Sequence, residues 1–250
     1  YLERKTESRK PMLNLPQNTQ TATFAGGCFW CTESDFKSLP GVLAVVSGYT
    51  GGFQAHPTYH QVCSGKTGHA EAVQVYYNPD QVSYATLLDH FWRMIDPTDA
   101  GGQFVDRGSQ YRTAIFYHDD EQKRLAEQSL ARLNQSKRFA KPVATAIVPL
   151  TDFYPAEEYH QDYDKKSPER YHAYRTHSGR DQALAHIWRD VPAPPAAPAH
   201  APRYTKPRPN PPDAAGLPCG ASGSPLHHAP PQPAGCRRLA LRSLPLPTTP

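Results

Sequence analysis

No apolar run in the chain approaches the roughly 20 residues needed to cross a bilayer. Tyr1 to Lys10 is charged and shows no signal-peptide core. The first residue is Tyr1 rather than Met, which leaves a lost leader open; with no leader in view, a cytoplasmic location is expected. Cysteine is scarce. The five present, Cys28, Cys31, Cys63, Cys219 and Cys236, are odd in number and widely spread, unlike the dense frameworks of small secreted domains. A second CxxC pair is missing, because Cys63 stands alone and the last two cysteines are 17 apart, so a four-thiolate zinc site lacks half its ligands and no metal is expected. Net charge is nearly absent from most of the chain. Of the formal +4, residues 191–250 supply six Lys/Arg against one Asp, or +5, leaving 21 bases against 22 acids, or −1, for the rest. A near-neutral body offers no basic face to nucleic acid. No internal repeat is visible.

Proline is plentiful, but 17 of its 27 residues lie from Pro192 onward. That Pro/Ala-rich segment has few large apolar side chains and cannot offset its own ordering entropy. Three regions are therefore expected: a loose arm over 1–18, one folded domain over 19–190, and a low-complexity, disordered tail over 191–250. Within the domain, "TATFA" reads as a strand that ends in Gly26-Gly27, and "CFWCTESDFKSL" as a short helix with Cys28 in its first turn. "VLAVVSGYTGG" reads as a strand running into a glycine-rich loop, and "HPTYHQVCSGKTGH" as loop. "AEAVQVYY", residues 70–77, is a strand with Glu71 on the face of Val73, Val75 and Tyr77. Ser83 caps a helix reaching about Met94. "DPTDAGGQFVDRGSQ" reads as a long polar loop, "YRTAIFYH" and "VATAIVPL" as strands, and "AEEYHQDYDKK" as a helical turn or two. Residues 119–135 form an amphipathic helix with acids first and bases later. Strands and helices without regular alternation predict an α+β fold, a mixed central sheet with flanking helices.

The chemistry concentrates at residue 28. A helix N-terminus presents unpaired N–H groups and partial positive charge, so Cys28 is expected to be a better thiolate than an ordinary cysteine. The glycines permit close approach of a substrate, and Phe29-Trp30 offer an apolar wall beside the sulfur. Glu71, inward-facing on its strand, would have a raised pKa and could donate a proton near neutrality. Tyr59, Asp106 and Tyr111 lie in or beside glycine-rich loops, where tyrosine hydroxyls can hold a developing oxyanion. Each of these residues also has a plain structural reading: a small buried thiol, a paired strand-end Glu, packed loop tyrosines.

Taken together, "GGCFWCTESDF", "GYTGG", "PTYHQVCSGKTGHAEAVQVYYNP", "DRGSQYRTAIFY", "AEEYHQDY" and "SGRDQ" resemble the peptide-methionine (S)-S-oxide reductases, the A-type methionine sulfoxide reductases, over about residues 21–190. The resemblance implies a two-layer α+β sandwich related to the ferredoxin-like folds, with the reactive cysteine at a helix N-terminus. It implies repair of oxidised methionine, free or in proteins, without a cofactor, by a monomer recycled by thioredoxin, for which dithiothreitol can stand in. It makes Cys28 the nucleophile that becomes a sulfenic acid, Phe29 and Trp30 the pocket for the ε-methyl, and Glu71 the acid on the sulfoxide oxygen. Tyr59 and Tyr111 become donors to that oxygen, and Asp106 a polar contact through water.

Recycling is less determined. Many family members carry a resolving cysteine near the C-terminus, whereas here the matched region ends "YRTHSGRDQALAHIW" without a thiol. Cys31, one helical turn from Cys28, is the nearest candidate, although the Phe29-Trp30 pair between them is committed to the pocket. Cys219 in "PCGASG" and Cys236 could swing in from the tail, and an external thiol could reduce the sulfenic acid directly. Cys63 and His160 read as structural, His227-His228 as a solvated pair, and "PAPPAAPAHAP" as a tethered tail or a polyproline II ligand. Two competing functions remain: a thiol–disulfide oxidoreductase using Cys28 and Cys31, and a non-enzymatic module whose tail binds a partner.

Overall fold

A computed structural model describes residues 13–190. The arm up to residue 12 and the whole of 191–250, with Cys219, Cys236, His227-His228 and the polyproline stretch, lie outside the described residues. The core is a six-stranded sheet in the order β7-β6-β1-β3-β2-β8. Its strands are β1 (Gln20–Gly26), β2 (Val42–Thr50), β3 (Ala70–Tyr77), β6 (Thr113–Tyr117), β7 (Ala146–Pro149) and β8 (Phe153–Pro155). All pairings are antiparallel except β6 with β7, which makes the sheet mixed.

Alternation along β1 and β3 sorts the two faces. Ala22, Phe24, Val73 and Val75 join the large core, while Ala25, Ala70 and Ala72 join a smaller cluster with Ala114 and Phe116. The large core is covered by α1 (Phe29–Lys37), α3 (Tyr84–Arg93) and α4 (Asp120–Gln135). Phe24 stacks between Phe36 of α1 and Phe91 of α3, with centroids 4.9 and 5.1 Å away, and so ties both helices to β1. Trp92 donates to Ser129 Oγ at 2.8 Å, joining α3 to α4. The expected caps are present: Ser83 accepts from Thr86 N and Asp119 from Gln122 N.

Two stretches read as loop have structure. Thr58 and Gln61 form a reciprocal capping box that starts α2 (Tyr59–Cys63), a five-residue helix without the apolar periodicity that marks longer ones. The polar segment after α3 holds a two-stranded ladder, β4 (Gly102–Gln103) with β5 (Asp106–Arg107), and a 3-10 turn over Ser109–Tyr111. Beyond the expected turn α5 (Tyr163–Lys166), the described residues end in α6 (Pro168–His177) and α7 (Arg180–Ile187). Among the described residues no helix is long and apolar enough to cross a membrane.

Candidate active site

Antiparallel pairing gathers the candidate residues. β1 ends where β3 and β6 begin, with Gly26 opposite Thr113, and Tyr49 near the end of β2 opposite Glu71. Cys28, two residues past β1, Glu71, second in β3, and Tyr111, two residues before β6, therefore share one end of the sheet. Gly27 has φ +85°, and a Cβ there would lie 2.6 Å from Gln103 Cβ, so the turn requires glycine for conformation and for space. The turn makes Cys28 the N-cap of α1.

Glu71 Oε2 accepts from the Phe29 N–H at 2.9 Å, one residue from Cys28. The carboxyl is 2% exposed. Burial pushes its pKa well above the usual carboxylate range; the Phe29 N–H pulls the other way, and Asp106 adds to the rise. Glu71 is thus a neutral acid beside the thiol. Tyr59, first residue of α2, and Tyr111 are also buried, and burial first, then Glu71, pushes both phenols above their ordinary value. They remain neutral donors. The Tyr111 hydroxyl makes no hydrogen bond to a described residue, while Tyr59 is hydrogen-bonded to Cys63, which ties that half-buried thiol to the site. Glu157 holds Tyr59 in place by accepting from its N–H at 2.8 Å and from the Tyr49 hydroxyl at 2.7 Å. Asp106 accepts directly from the Tyr174 hydroxyl, and burial raises its pKa against that bond and the pull of Arg180.

The aromatic wall is braced by a residue the sequence presented as merely structural. Trp30 Nε1 donates to His160 Nδ1 at 3.1 Å, and its ring stacks on Tyr163 at 3.4 Å. Accepting at Nδ1 places the imidazole proton on Nε2, which is buried without a partner. Burial lowers the His160 pKa to about 4, so the ring stays neutral. It also packs 5.0 Å from Phe29 and 4.4 Å from Tyr59, centroid to centroid, so one histidine orients both pocket walls and one donor.

The thiols require a correction. Cys28 is 3% exposed, and burial pushes it well above an ordinary cysteine; its hydrogen bond with Cys31 and the nearby Asp106 and Glu71 act in the same direction. The Cys31 thiol is pulled down, first by its hydrogen bond with Cys28 and then by Arg180 and Arg175, with burial acting the other way. Both thiols are free. Among the described residues no cluster of His, Cys, Asp and Glu could hold a metal ion.

Sequence reasoning missed Tyr174 and Arg180. Tyr174 meets Trp30 edge-on at 5.9 Å and bonds Asp106. Arg180 lies in "SGRDQ", a segment that stood out without a role.

Comparisons with known proteins give the family. The family model described as peptide methionine sulfoxide reductase matches residues 20–191. A peptide methionine sulfoxide reductase MsrA of Bacillus licheniformis is 56% identical over 174 residues, 70% of this chain and 96% of that protein. The Bacillus subtilis MsrA is 54% identical over 174 residues, 70% and 98% of the two chains. Among solved structures, reduced Mxr1 of Saccharomyces cerevisiae superposes with TM-score 0.58 at 34% identity, covering 62% of this chain and 88% of that one. Methionine sulfoxide reductase A of Corynebacterium diphtheriae does so with TM-score 0.56 at 33% identity, covering 61% and 77%. By sequence and by fold, the chain belongs to the peptide methionine sulfoxide reductase family.

Proposed function

We propose that this chain reduces methionine-S-sulfoxide, free and protein-bound, to methionine, with Cys28 as nucleophile and Glu71 as acid. The observation that carries the reading is the buried, neutral Glu71 carboxyl held one residue from the Cys28 thiol. A sulfoxide presents an electrophilic sulfur, a polar oxygen and a methyl group. Cys28 attacks the sulfur, Glu71 gives its proton to the oxygen, and Tyr59 and Tyr111 donate to the same oxygen as charge builds there. Asp106, bound by Tyr174, completes the polar side. Phe29 and Trp30, braced by His160, take the methyl and select one configuration. The methionine S–O bond breaks and a Cys28 S–O bond forms. Two electrons leave the Cys28 sulfur for the methionine sulfur, and the Cys28 proton replaces the one Glu71 gave up.

Cys31 then resolves the sulfenic acid. N-cap and third helical position lie about 5–6 Å apart, within reach of a disulfide, and the two sulfurs are already hydrogen-bonded. Thioredoxin is the reductant that the family resemblance implies, with no bound cofactor. The catalytic domain is residues 19–190. It acts as a monomer and in the cytoplasm, a reducing compartment that suits buried free thiols.

The test is a stereospecific assay with R and S methyl sulfoxides and dithiothreitol. Reduction of the S epimer alone is expected; reduction of both or neither sinks the proposal. A thiol–disulfide oxidoreductase would reduce protein disulfides instead and would be indifferent to Glu71 and Tyr111.

A further inference from the structure

Tyr171, Tyr174 and Arg175 stand at i, i+3 and i+4 on α6 and so share one helix face. That face lies against α1. Arg175 pairs with Asp35 of α1 at 2.6 Å and donates to the Tyr171 hydroxyl at 2.9 Å. With the helix fixed by that pairing, the half-buried Tyr174 reaches the active site. Its ring meets Trp30 of α1 edge-on at 5.9 Å, and its hydroxyl donates to Asp106 Oδ2 on β5.

The two contacts belong to the two chemically different walls of the pocket. On the apolar wall Trp30 has further support, from Tyr163 stacked at 3.4 Å and from the bond to His160. On the polar wall Asp106 has less. It is 4% exposed, and among the described residues the Tyr174 hydroxyl is the one group that hydrogen-bonds its carboxyl. Arg180 also weighs on that carboxyl, pulling it down together with the Tyr174 bond and against burial, but no ion pair joins the two. A charge at a distance favours ionisation without fixing an orientation; a hydrogen bond fixes which oxygen is held. With Oδ2 taken, Oδ1 remains for a further partner.

We propose that Tyr174 is a positioning residue of sulfoxide reduction, one phenol that ties Asp106 on the polar wall to Trp30 on the apolar wall and so sets the spacing between them. The inference rests on the reading of this chain as a methionine-S-sulfoxide reductase. A sulfoxide carries its oxygen and its methyl group on the same pyramidal sulfur, at a fixed angle. Both groups bind well together only when the two walls are held in register. Tyr174 acts through Asp106 and Trp30, and its bond to Asp106 belongs to substrate binding rather than to the S–O cleavage driven by Cys28 and Glu71. The C-terminal helices thereby serve the pocket without supplying a thiol to it.

The experiment is steady-state kinetics of the full chain with an S methyl sulfoxide and dithiothreitol. Tyr174→Phe keeps the ring against Trp30 and removes the bond. It is expected to raise KM about tenfold and to leave kcat within about threefold of wild type. In an Asp106→Ala background the same change is expected to raise KM less than about twofold, because the acceptor is already gone. Tyr171→Phe, on the same helix face but on neither wall, is expected to leave KM within about twofold. An unmoved KM in Tyr174→Phe, an undiminished tenfold effect in the Asp106→Ala background, or an equal rise in Tyr171→Phe overturns the proposal. Should Tyr174→Phe fail to fold, the bond is read from its other end. Asp106→Asn, which still accepts from the phenol, is expected to show a KM about fivefold below that of Asp106→Ala; equal values refute the role. Failure of the underlying reading looks different: wild type that reduces both epimers or neither removes the reductase assignment, whatever the Tyr174 variants do.

Discussion

Cys28 and Cys31 are one helical turn apart at the start of α1 and both buried, yet the charges that weigh most on them differ. Cys28 looks toward the sheet end, where the neighbouring charges are the acids Glu71 and Asp106. Cys31 looks toward α6 and α7, where Arg175 and Arg180 lie. In the first region burial and the acids push the thiol up. In the second the arginines pull the thiol down against its burial. Sequence spacing alone makes the pair look equivalent; the difference between them is entirely one of surroundings.

The largest effect should come from the sheet end. Cys28→Ser is expected to lower turnover of an S sulfoxide with dithiothreitol by at least about 10³-fold, because nothing else in the pocket supplies the nucleophile. A smaller loss would shift the attacking role to Cys31 and undo the comparison. Next, Glu71→Gln should lower kcat about 10²-fold with little change in KM. In wild type the acid is competent while protonated, so the first step should hold at low pH and fall as pH rises through the raised Glu71 pKa. The Gln variant should lack that alkaline fall. Stability carries the same signature. Because the folded pKa exceeds the ordinary carboxyl value of about 4.5, the stabilisation tied to that proton is complete below about pH 4.5 and is lost as pH rises through the folded value. Melting curves should show Glu71→Gln gaining a few degrees on wild type between about pH 5 and pH 8; a constant gap would mean that Glu71 is ionised in the native protein.

Trp30→Phe removes the bond to His160 and should raise KM about tenfold, with less change in kcat. An unaltered KM would detach His160 from the pocket. Cys31→Ser should leave dithiothreitol-driven turnover within about threefold of wild type. After one turnover without reductant, intact mass should then show gain of one oxygen where wild type loses two hydrogens. The smallest effect belongs to Asp35→Asn, which removes an acid whose charge pushes Cys31 up and should lower the Cys31 titration midpoint by no more than about half a unit. A shift of opposite sign would show that Arg175 leaves when its partner does.

Much of the sheet-end half was legible before any coordinates. The glycine pair, the helix after it and the alternation that turns Glu71 toward the large core are local patterns, and each survives folding because short-range sterics and pleat set it. The short helix α2 escaped notice although Thr58 and Gln61 carry its capping box, since five residues show no period. The α6–α7 half was illegible for another reason. These helices bury single polar side chains, Tyr174 and Arg180, against distant partners rather than an apolar stripe against the core, and no periodicity marks such a residue.

By itself, then, the amino-acid sequence determined which residue types meet at the turn after β1, that Glu71 faces inward, and the family to which the chain belongs. Only the tertiary structure decided that Glu71 accepts from the Phe29 N–H, which charges weigh on each of the two cysteines, and that His160 braces Trp30. Those are long-range outcomes. Protonation of a buried group depends on every charge and dipole packed around it, and here those groups come from residues up to 149 positions further along the chain.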